Sequence, residues 1–277
     1  MPESAVDELL GALRATPAGD DRFTAVAPDW FGDRVFGGVV LAQGLHAACQ
    51  TIDPGRVAHS MHAYFLGALR PGAVELSVQR LRDGRTFSAR HVVSAQNGRT
   101  ALWATVSFHG EETGPDYQRT VPDPPLPASL EVSEDAPPPV ELRAIGPTEP
   151  RPDGRYESTH RCWLRTAKPL SDDPLDHLAV AAFLSDLTGT SFRPQNLGEW
   201  GTHTDASIDH AVWFHRAFRP DGWLYADFHA LINAGARSTV RGEFHDAGGQ
   251  LCMSMAQELL VRPLAAPTAR EPRAPAR

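Results

Sequence analysis

Two stretches of the chain have the composition of helices that are apolar on almost every face. The first is VFGGVVLAQGLHAACQTI, residues 35–52, and the second runs from His177 to Leu184, shortly after Asp173-Pro174. A helix that is apolar all round does not lie on a protein surface, so other elements have to enclose it. Proline suits the first helical position and marks the start of the second helix. The rest of the chain therefore has to cover two buried helices.

Strand-like segments follow each helix and are separated by turn sequences. They are residues 59–67, 73–81, 86–96 and 101–110 in the first half and 207–218, 222–233, 237–246 and 250–261 in the second. Asp83-Gly84 and Asn97-Gly98 predict tight hairpin turns. A further strand precedes each helix, at 21–27 and 155–166. The order strand, helix and four strands thus occurs twice, which indicates a duplication.

One buried helix wrapped by an antiparallel sheet is the plan of a hot-dog domain. We therefore predict an α+β double hot-dog fold, with tandem domains at residues 1–113 and 155–263. The proline-rich, acidic segment 114–154 is predicted to be a linker without regular helix or strand. The tail, residues 264–277, is predicted to be disordered. A short amphipathic helix is expected at residues 4–13.

Charge and composition narrow the function classes. The net charge of −8 argues against nucleic acid or an anionic membrane as the main partner. No apolar run is long enough to cross a bilayer, and the N-terminus does not have the pattern of a signal peptide. The three cysteines are far apart, which predicts buried thiols in a reducing compartment and no metal site. We therefore expect a cytoplasmic enzyme or binding protein.

The local identities between the halves suggest an overlay. His62-Ala63 and His210-Ala211 are each followed by an aromatic run, so the overlay puts Met61 at the place of Asp209. Both histidines are expected to be core residues with satisfied ring nitrogens rather than bases. The two halves are thus predicted to be alike in fold and different in chemistry.

Several motifs resemble the type II acyl-CoA thioesterases. They are DRVFGGVVLAQGLHAA, HSMHAYFL and RLRDGRTFSARHVVSAQNG in the first half and AVAAFLSD, SIDHAVWFHRAF and MAQELLVRP in the second. The resemblance covers about residues 21–263 apart from the linker. It implies a double hot-dog enzyme that hydrolyses fatty acyl-CoA. In that family an Asp, a Ser or Thr and a Gln bind and activate a water, with no metal, cofactor or covalent intermediate.

The resemblance implies two catalytic residues directly. Its Asp falls on Asp209 in SIDHAVWFH, and its Gln falls on Gln257 in AQEL. Asp209 can act as the base if apolar surroundings raise its pKa, and Gln257 can hold the water but takes no proton at pH 7. The alternative is structural, since Asp209 can cap a turn and Gln257 can bond backbone at a barrel end.

The hydroxyl residue implied by the resemblance is missing from its place. That place falls on Leu231 or Ala230, and neither side chain has a hydroxyl. His229 and Asn233 flank Leu231 at two residues' distance, so in a regular strand they share its face. We expect one of them to supply the missing contact, or both to be ordinary polar residues at a strand end.

Substrate contacts are expected at two further places. Gly37 and Gly38 open the first buried helix, where free N–H groups can bind a carbonyl oxygen or an anion. Arg82 and Arg85, together with Arg90, can meet the phosphates of coenzyme A, or they can be plain solubilising residues of a hairpin. The glycines can equally form an ordinary loop-to-helix turn.

Three functions remain open at this point. The leading one is acyl-CoA thioesterase, and Leu231 favours a second, an acyl-CoA-binding protein without turnover. The third is an enoyl-CoA hydratase, for which Asp172 or Asp173 with His177 gives the nearest acid–histidine pair. The partner expected is acyl-CoA. Exposed sheet edges predict a homo-oligomer, a dimer of double hot-dogs.

Overall fold

A computed structural model describes residues 4–30, 32–119, 123–133, 136, 139–146, 152, 159–187 and 203–263. The tail that is predicted to be disordered, 264–277, lies outside the described residues. Among the helices of the described ranges, none is long and apolar enough to cross a membrane.

The first half follows the predicted order of elements. It contains α1 (Ser4–Leu13), β1 (Thr16–Gly19), β2 (Arg22–Ala27), α2 (Gly37–Cys49), β3 (Arg56–Phe65), β4 (Gly72–Asp83), β5 (Phe87–Gln96) and β6 (Arg99–Gly110). Asn97 and Gly98 have φ of 52° and 73° between β5 and β6. Positive φ at both central residues is the turn that Asn-Gly favours, because its twist matches that of the flanking strands.

The second half repeats this plan. It contains β7 (Val140–Ile145), β8 (Thr159–Thr166), α3 (Pro174–Ser185), β9 (His203–Ser207), β10 (Asp209–Phe214), β11 (Leu224–Ala234), β12 (Arg237–Asp246) and β13 (Leu251–Pro263). Asp173 caps α3, since its carboxylate accepts a hydrogen bond of 2.9 Å from the N–H of Leu175. The predicted start of this helix at Asp173-Pro174 is therefore confirmed.

One antiparallel sheet runs through both halves. Its strand order is β1-β2-β4-β5-β6-β3-β10-β13-β12-β11-β8-β7, with β9 paired to β13. The halves join where β3 pairs with β10. Both α2 and α3 are buried over most of their length, as their all-round apolar composition predicts. The α+β double hot-dog architecture is confirmed.

Part of the expected linker forms regular structure, contrary to the prediction. Strand β7 and a short 3-10 helix at Pro127–Ser129 lie within residues 114–154. Val140 and Leu142 are buried on one face of β7, which pairs with β8 along its length. The alternating segment VELRAI is short and lies among prolines, which predict irregular structure, so the sequence does not indicate this strand. The domain boundaries themselves stay a prediction.

The overlay of the two histidine motifs is wrong by one residue. The pairing of β3 with β10 leaves His62 exposed on the outer face, whereas His210 is buried on the inner face. Since a shift of one residue turns every side chain to the other face of a strand, the two are not equivalent. Met61 is buried and Asp209 is not, so they do not occupy corresponding places either.

Candidate active site

The end of α3 places a carboxylate in the interior, between the two halves. Asp186 is only 1% exposed, and no Lys or Arg among the described residues pairs with it. Burial raises the pKa of Asp186 to about 7. Hydrogen bonds from the Gln257 amide, the Gly38 backbone N–H and the Ser207 hydroxyl oppose this shift only in part. The carboxyl group is therefore poised to exchange a proton near neutral pH.

Gln257 joins this carboxylate to a hydroxyl group. Its Nε2 donates to Asp186 Oδ1 at 2.6 Å and to Ser207 Oγ at 2.7 Å. A carboxylate only accepts hydrogen bonds, so the nitrogen of the amide has to face Asp186. The Ser207 oxygen accepts from Gln257, while its own proton is directed to Asp186. The three side chains form a hydrogen-bonded set in which Asp186 and Gln257 are buried and Ser207 is half-buried.

The first half contributes the beginning of α2. A Cβ at Gly37 would lie 2.6 Å from Asp186 Oδ2 and 3.1 Å from the Phe65 ring, and one at Gly38 would lie 2.6 Å from the Phe183 carbonyl. Only glycine permits such close approach. The N–H of Gly38 bonds Asp186, and that of Gly37 lies in the first turn, where no intrahelical acceptor is available. Both halves thus build the site.

His210 is the second titratable group beside Asp186. Its Nε2 lies 2.9 Å from Ser185 Oγ, and its Nδ1 lies 3.7 Å from Asp186 Oδ1. Burial lowers the pKa of His210 to about 3, an effect that the nearby Gln257 amide opposes only slightly. The ring is therefore neutral at pH 7 and does not act as a counter-ion for Asp186.

Asp209 lies on β10 beside the part of β13 that carries Gln257, and its carboxylate bonds the backbone there. Its carboxylate accepts a hydrogen bond of 2.7 Å from the backbone N–H of Glu258. The strand is interrupted at Ile208, between β9 and β10, so the regular alternation of faces is lost there. Ser207 faces inward opposite buried Leu259, while Asp209 pairs with exposed Tyr64. Asp209 thus fastens the backbone of β13 beside Gln257. Its role as the base stays a prediction.

A β-bulge at Leu231 interrupts the alternation of side chains that was expected to put His229 and Asn233 on one face. The bulge lies in β11, so the residues on either side no longer alternate regularly. His229 pairs with exposed Arg241, whereas Asn233 pairs with buried Ser238. The expectation that His229 and Asn233 share one face is therefore wrong. Leu231 itself is 56% exposed.

The arginines of the β4–β5 hairpin differ from one another. Arg82 and Arg85 are exposed, and their contact with coenzyme A phosphates stays a prediction. Arg90 is 1% exposed, and its guanidinium donates to Thr51 and to Asp83. Arg90 is therefore not a solubilising residue, because it ties the hairpin to the end of α2.

The acid–histidine pair considered for a hydratase does not form. The Asp172 side chain is 96% exposed and pairs with Arg219, while Asp173 caps α3. His177 Nε2 instead lies 2.6 Å from the carbonyl oxygen of Ser171. Neither carboxylate bonds the imidazole, so this geometry gives no support to hydratase chemistry.

Two candidate residues were missed from the sequence. Asp186 ends AVAAFLSD and Ser207 begins SIDHAVWFH, both segments that resemble the thioesterases. A carboxylate directly after an all-round apolar helix was the available signal for Asp186. For Ser207 the available signal was a hydroxyl residue two positions before Asp209.

A buried carboxyl group that titrates near neutrality, held with a hydroxyl and an amide, can bind and deprotonate a water. On a double hot-dog fold these features define the class of hot-dog hydrolases. The family profile described as acyl-CoA thioesterase N-terminal domain matches residues 26–109. The profile described as acyl-CoA thioesterase C-terminal domain matches residues 115–261. The chain belongs to the acyl-CoA thioesterase family and is an enzyme of the thioester hydrolase class.

Individual relatives agree with this placement. Acyl-CoA thioesterase 2 of Haemophilus influenzae is 30% identical over 93% of this chain and 98% of its own. Human acyl-coenzyme A thioesterase 8 is 28% identical over 83% of this chain and 81% of its own. The crystal structure of acyl-CoA thioesterase II TesB2 from Mycobacterium marinum is 30% identical with a TM-score of 0.81, covering 94% of this chain and 99% of that one.

Proposed function

We propose that this protein hydrolyses acyl-CoA thioesters with a water that Asp186 deprotonates and that Ser207 and Gln257 position. The reaction follows from membership of the family, and the roles of Asp186, Ser207 and Gln257 are our proposal. The observation that carries it is the link through Gln257 Nε2, which lies within hydrogen-bond distance of both Asp186 and Ser207. A water beside these groups would meet a base, a hydroxyl and an amide at once.

Asp186 is suited to the role of base because its pKa of about 7 matches the working pH. Its carboxylate takes a proton from water while the water oxygen attacks the thioester carbonyl carbon. The carbon–sulfur bond then breaks, and the proton passes from Asp186 to the departing thiolate. The amide of Gln257 takes no proton and acts by orientation alone.

The developing oxyanion requires donors near the carbonyl carbon. The N–H of Gly37 lies at the N-terminus of α2, beside Asp186, where backbone N–H groups and the helix dipole favour negative charge. Gly38 has its N–H engaged by Asp186, which orients the base. We therefore assign the oxyanion contact to Gly37.

The decisive experiment measures free thiol release from acyl-CoAs of short to long chain. Asp186→Asn should lower kcat by about a thousandfold, the scale of a lost general base. Asp209→Asn is the matched control, because its amide oxygen still accepts the Glu258 N–H, and it should keep most activity. Loss of turnover in Asp209→Asn with retention in Asp186→Asn would return the base to Asp209.

The pH profile gives a second test of the same assignment. Since the base must be ionised, kcat should rise about tenfold per pH unit below the pKa of Asp186 and level off near pH 7. A plateau that extends down to pH 5 would exclude Asp186 as the base.

The alternative of a binding protein without turnover loses its support. It depended on the missing hydroxyl at Leu231, and Ser207 now provides a hydroxyl at 2.7 Å from Gln257. We also propose that the chain forms a dimer of double hot-dogs, because β1 and β7 end the described sheet and each offers an unpaired edge. Light scattering of the purified protein would show a monomer if this is wrong.

A further inference from the structure

We propose that His210 is a positioning residue for Asp186: its Nδ1 lone pair faces the carboxyl group and accepts a hydrogen bond from it once Asp186 has taken the proton of water. This inference rests on the function proposed above. It assigns a role to a buried histidine that the hydrolytic set of Asp186, Ser207 and Gln257 does not use.

The hydroxyl of Ser185 sets the tautomer of His210. Ser185 Oγ donates its single proton to the carbonyl oxygen of Ala182 at 2.8 Å. Toward His210 Nε2, at 2.9 Å, the same oxygen can then only accept. Nε2 therefore carries the ring proton, and Nδ1 of the neutral imidazole carries the lone pair.

The lone pair of His210 Nδ1 faces Asp186 Oδ1, an oxygen that only accepts hydrogen bonds while Asp186 is ionised and can donate one once Asp186 is protonated. Nδ1 lies 3.7 Å from Asp186 Oδ1 and makes no hydrogen bond of good geometry with any described residue. While Asp186 is ionised, two acceptors face each other in a buried place, which is unfavourable. When Asp186 is protonated, its O–H can donate to Nδ1 after a movement of about 1 Å. The contact thus favours the protonated acid.

The groups that bond this pair in the described part of the chain are neutral. Each described element that contacts the pair contributes polar groups without charge. These are Ser185 on α3, the Gly38 N–H on α2, Ser207 on β9 and Gln257 on β13. Burial keeps the His210 ring itself neutral, since it lowers the pKa of that group to about 3.

Two substitutions at His210 separate its two ring nitrogens. His210→Gln places an amide nitrogen near the position of Nε2, so it keeps the bond to Ser185 and loses the acceptor toward Asp186. His210→Asn places its side-chain oxygen near the position of Nδ1, so it keeps the acceptor and loses the bond to Ser185. The pair therefore distinguishes an acceptor role from simple anchoring.

The expected result is a shift of the pH profile in one variant only. In His210→Gln the acidic limb of kcat should move down by about one pH unit, and the plateau should fall about tenfold with KM unchanged. In His210→Asn the limb should stay where the wild type has it. If His210 only anchors α3, the Asn variant is the more damaged one and neither limb moves, which overturns the proposal.

A third variant guards against misfolding at position 210. Ser185→Ala removes the acceptor that fixes the tautomer, so the ring can carry its proton on Nδ1 and donate to Asp186. The acidic limb should then also move down. An unchanged limb in a folded Ser185→Ala protein contradicts the inference.

A direct titration of the Asp186 carboxyl group tests, without any measurement of activity, whether His210 favours its protonated form. Infrared difference spectra of wild type and Asp186→Asn identify its carbonyl band, and the same measurement on His210→Gln gives its midpoint. A lower midpoint supports the inference and an equal one refutes it. The proposed function fails separately, if Asp186→Asn hydrolyses acyl-CoA as fast as the wild type.

Discussion

Helix α3 has a buried aspartate at each end, and the two carboxylates behave in opposite ways. Asp176 lies in the first turn and Asp186 caps the last, and each is 1% exposed. The pKa of Asp176 is lowered, whereas that of Asp186 is raised to about 7. Burial alone would raise both, so the difference comes from the partners.

Asp176 pairs with a cation, whereas Asp186 pairs with no Lys or Arg of the described ranges. Arg14 donates to both oxygens of Asp176 at 2.9 and 2.6 Å, and Ser171 adds a hydroxyl at 2.8 Å. The N-terminal end of the helix dipole also favours a negative charge there. The donors of Asp186 among the described residues are neutral, and Asp186 lies at the C-terminal end of α3, where the dipole of that helix disfavours a negative charge. A paired acid fastens α1 to α3, while an unpaired one is left available for proton transfer.

Among the ion pairs, removing the cation from Asp176 should have the largest effect on stability. Arg14→Met leaves a buried carboxylate without its partner, and we expect a loss of about 2–3 kcal/mol, reduced because the Arg14 side chain is 48% exposed. The kcat of the folded fraction should not change. Urea unfolding followed by circular dichroism measures the loss.

The matched control for that variant is Arg80→Met. Arg80 pairs with Asp21 through two similar hydrogen bonds, but that pair is exposed on the surface. It should cost no more than about 1 kcal/mol. Equal losses in the two variants would mean that burial of the carboxylate does not distinguish them, and the comparison between Asp176 and Asp186 would fail.

The dependence of stability on pH should have the opposite sign for the two acids. The folded pKa of Asp186 lies above its ordinary value of 3.8, so its contribution is fully present below pH 3.8 and is lost as pH rises to about 7. Within that window the loss is about 1.4 kcal/mol per pH unit. Asp186→Asn should therefore become more stable relative to wild type as pH rises.

Asp176→Asn is the control for this measurement. Because the pKa of Asp176 is lowered, its contribution is present above pH 3.8 and is lost as pH falls. This variant should lose stability relative to wild type as pH rises through the acid range to about 3.8, and the difference should then stay constant. Thermal unfolding of the three proteins between about pH 2 and pH 8 tests both signs, because the Asp176 contribution changes below pH 3.8 and the Asp186 contribution changes between pH 3.8 and about 7. Parallel curves over this whole range would contradict the assignment.

The sequence was sufficient for the fold because the fold depends on local patterns. All-round apolar composition predicted α2 and α3, Asp173-Pro174 predicted a helix start, and Asn97-Gly98 predicted a turn. Each of these signals lies within a few residues of the structure that it specifies. Strand β7 was missed because its alternating residues are few and lie among prolines.

The site was harder to predict because it depends on contacts between distant segments. The sequence predicts Gln257 as a site residue, but its partners Asp186 and Ser207 are brought to it by the packing of α3 and β9. The interruption of the strand at Ile208 turns Ser207 and Asp209 to opposite faces, although regular alternation would put them on the same face. The alternating pattern of the sequence does not predict such an interruption. The bulge at Leu231 has the same effect on β11.

Asp209 gives the smallest expected effect and completes the comparison of carboxylates. It is half-buried and holds one backbone N–H, that of Glu258, next to Gln257. Asp209→Ala leaves this N–H without its partner, and we expect a loss of about 1 kcal/mol in stability and a few-fold fall in kcat as Gln257 becomes less well held. Asp209→Asn should restore both, because an amide oxygen accepts the same hydrogen bond. If the Asn variant is instead as inactive as Asp186→Asn, charge at position 209 matters to the chemistry, and an acid need not be fully buried in this fold to take part in catalysis.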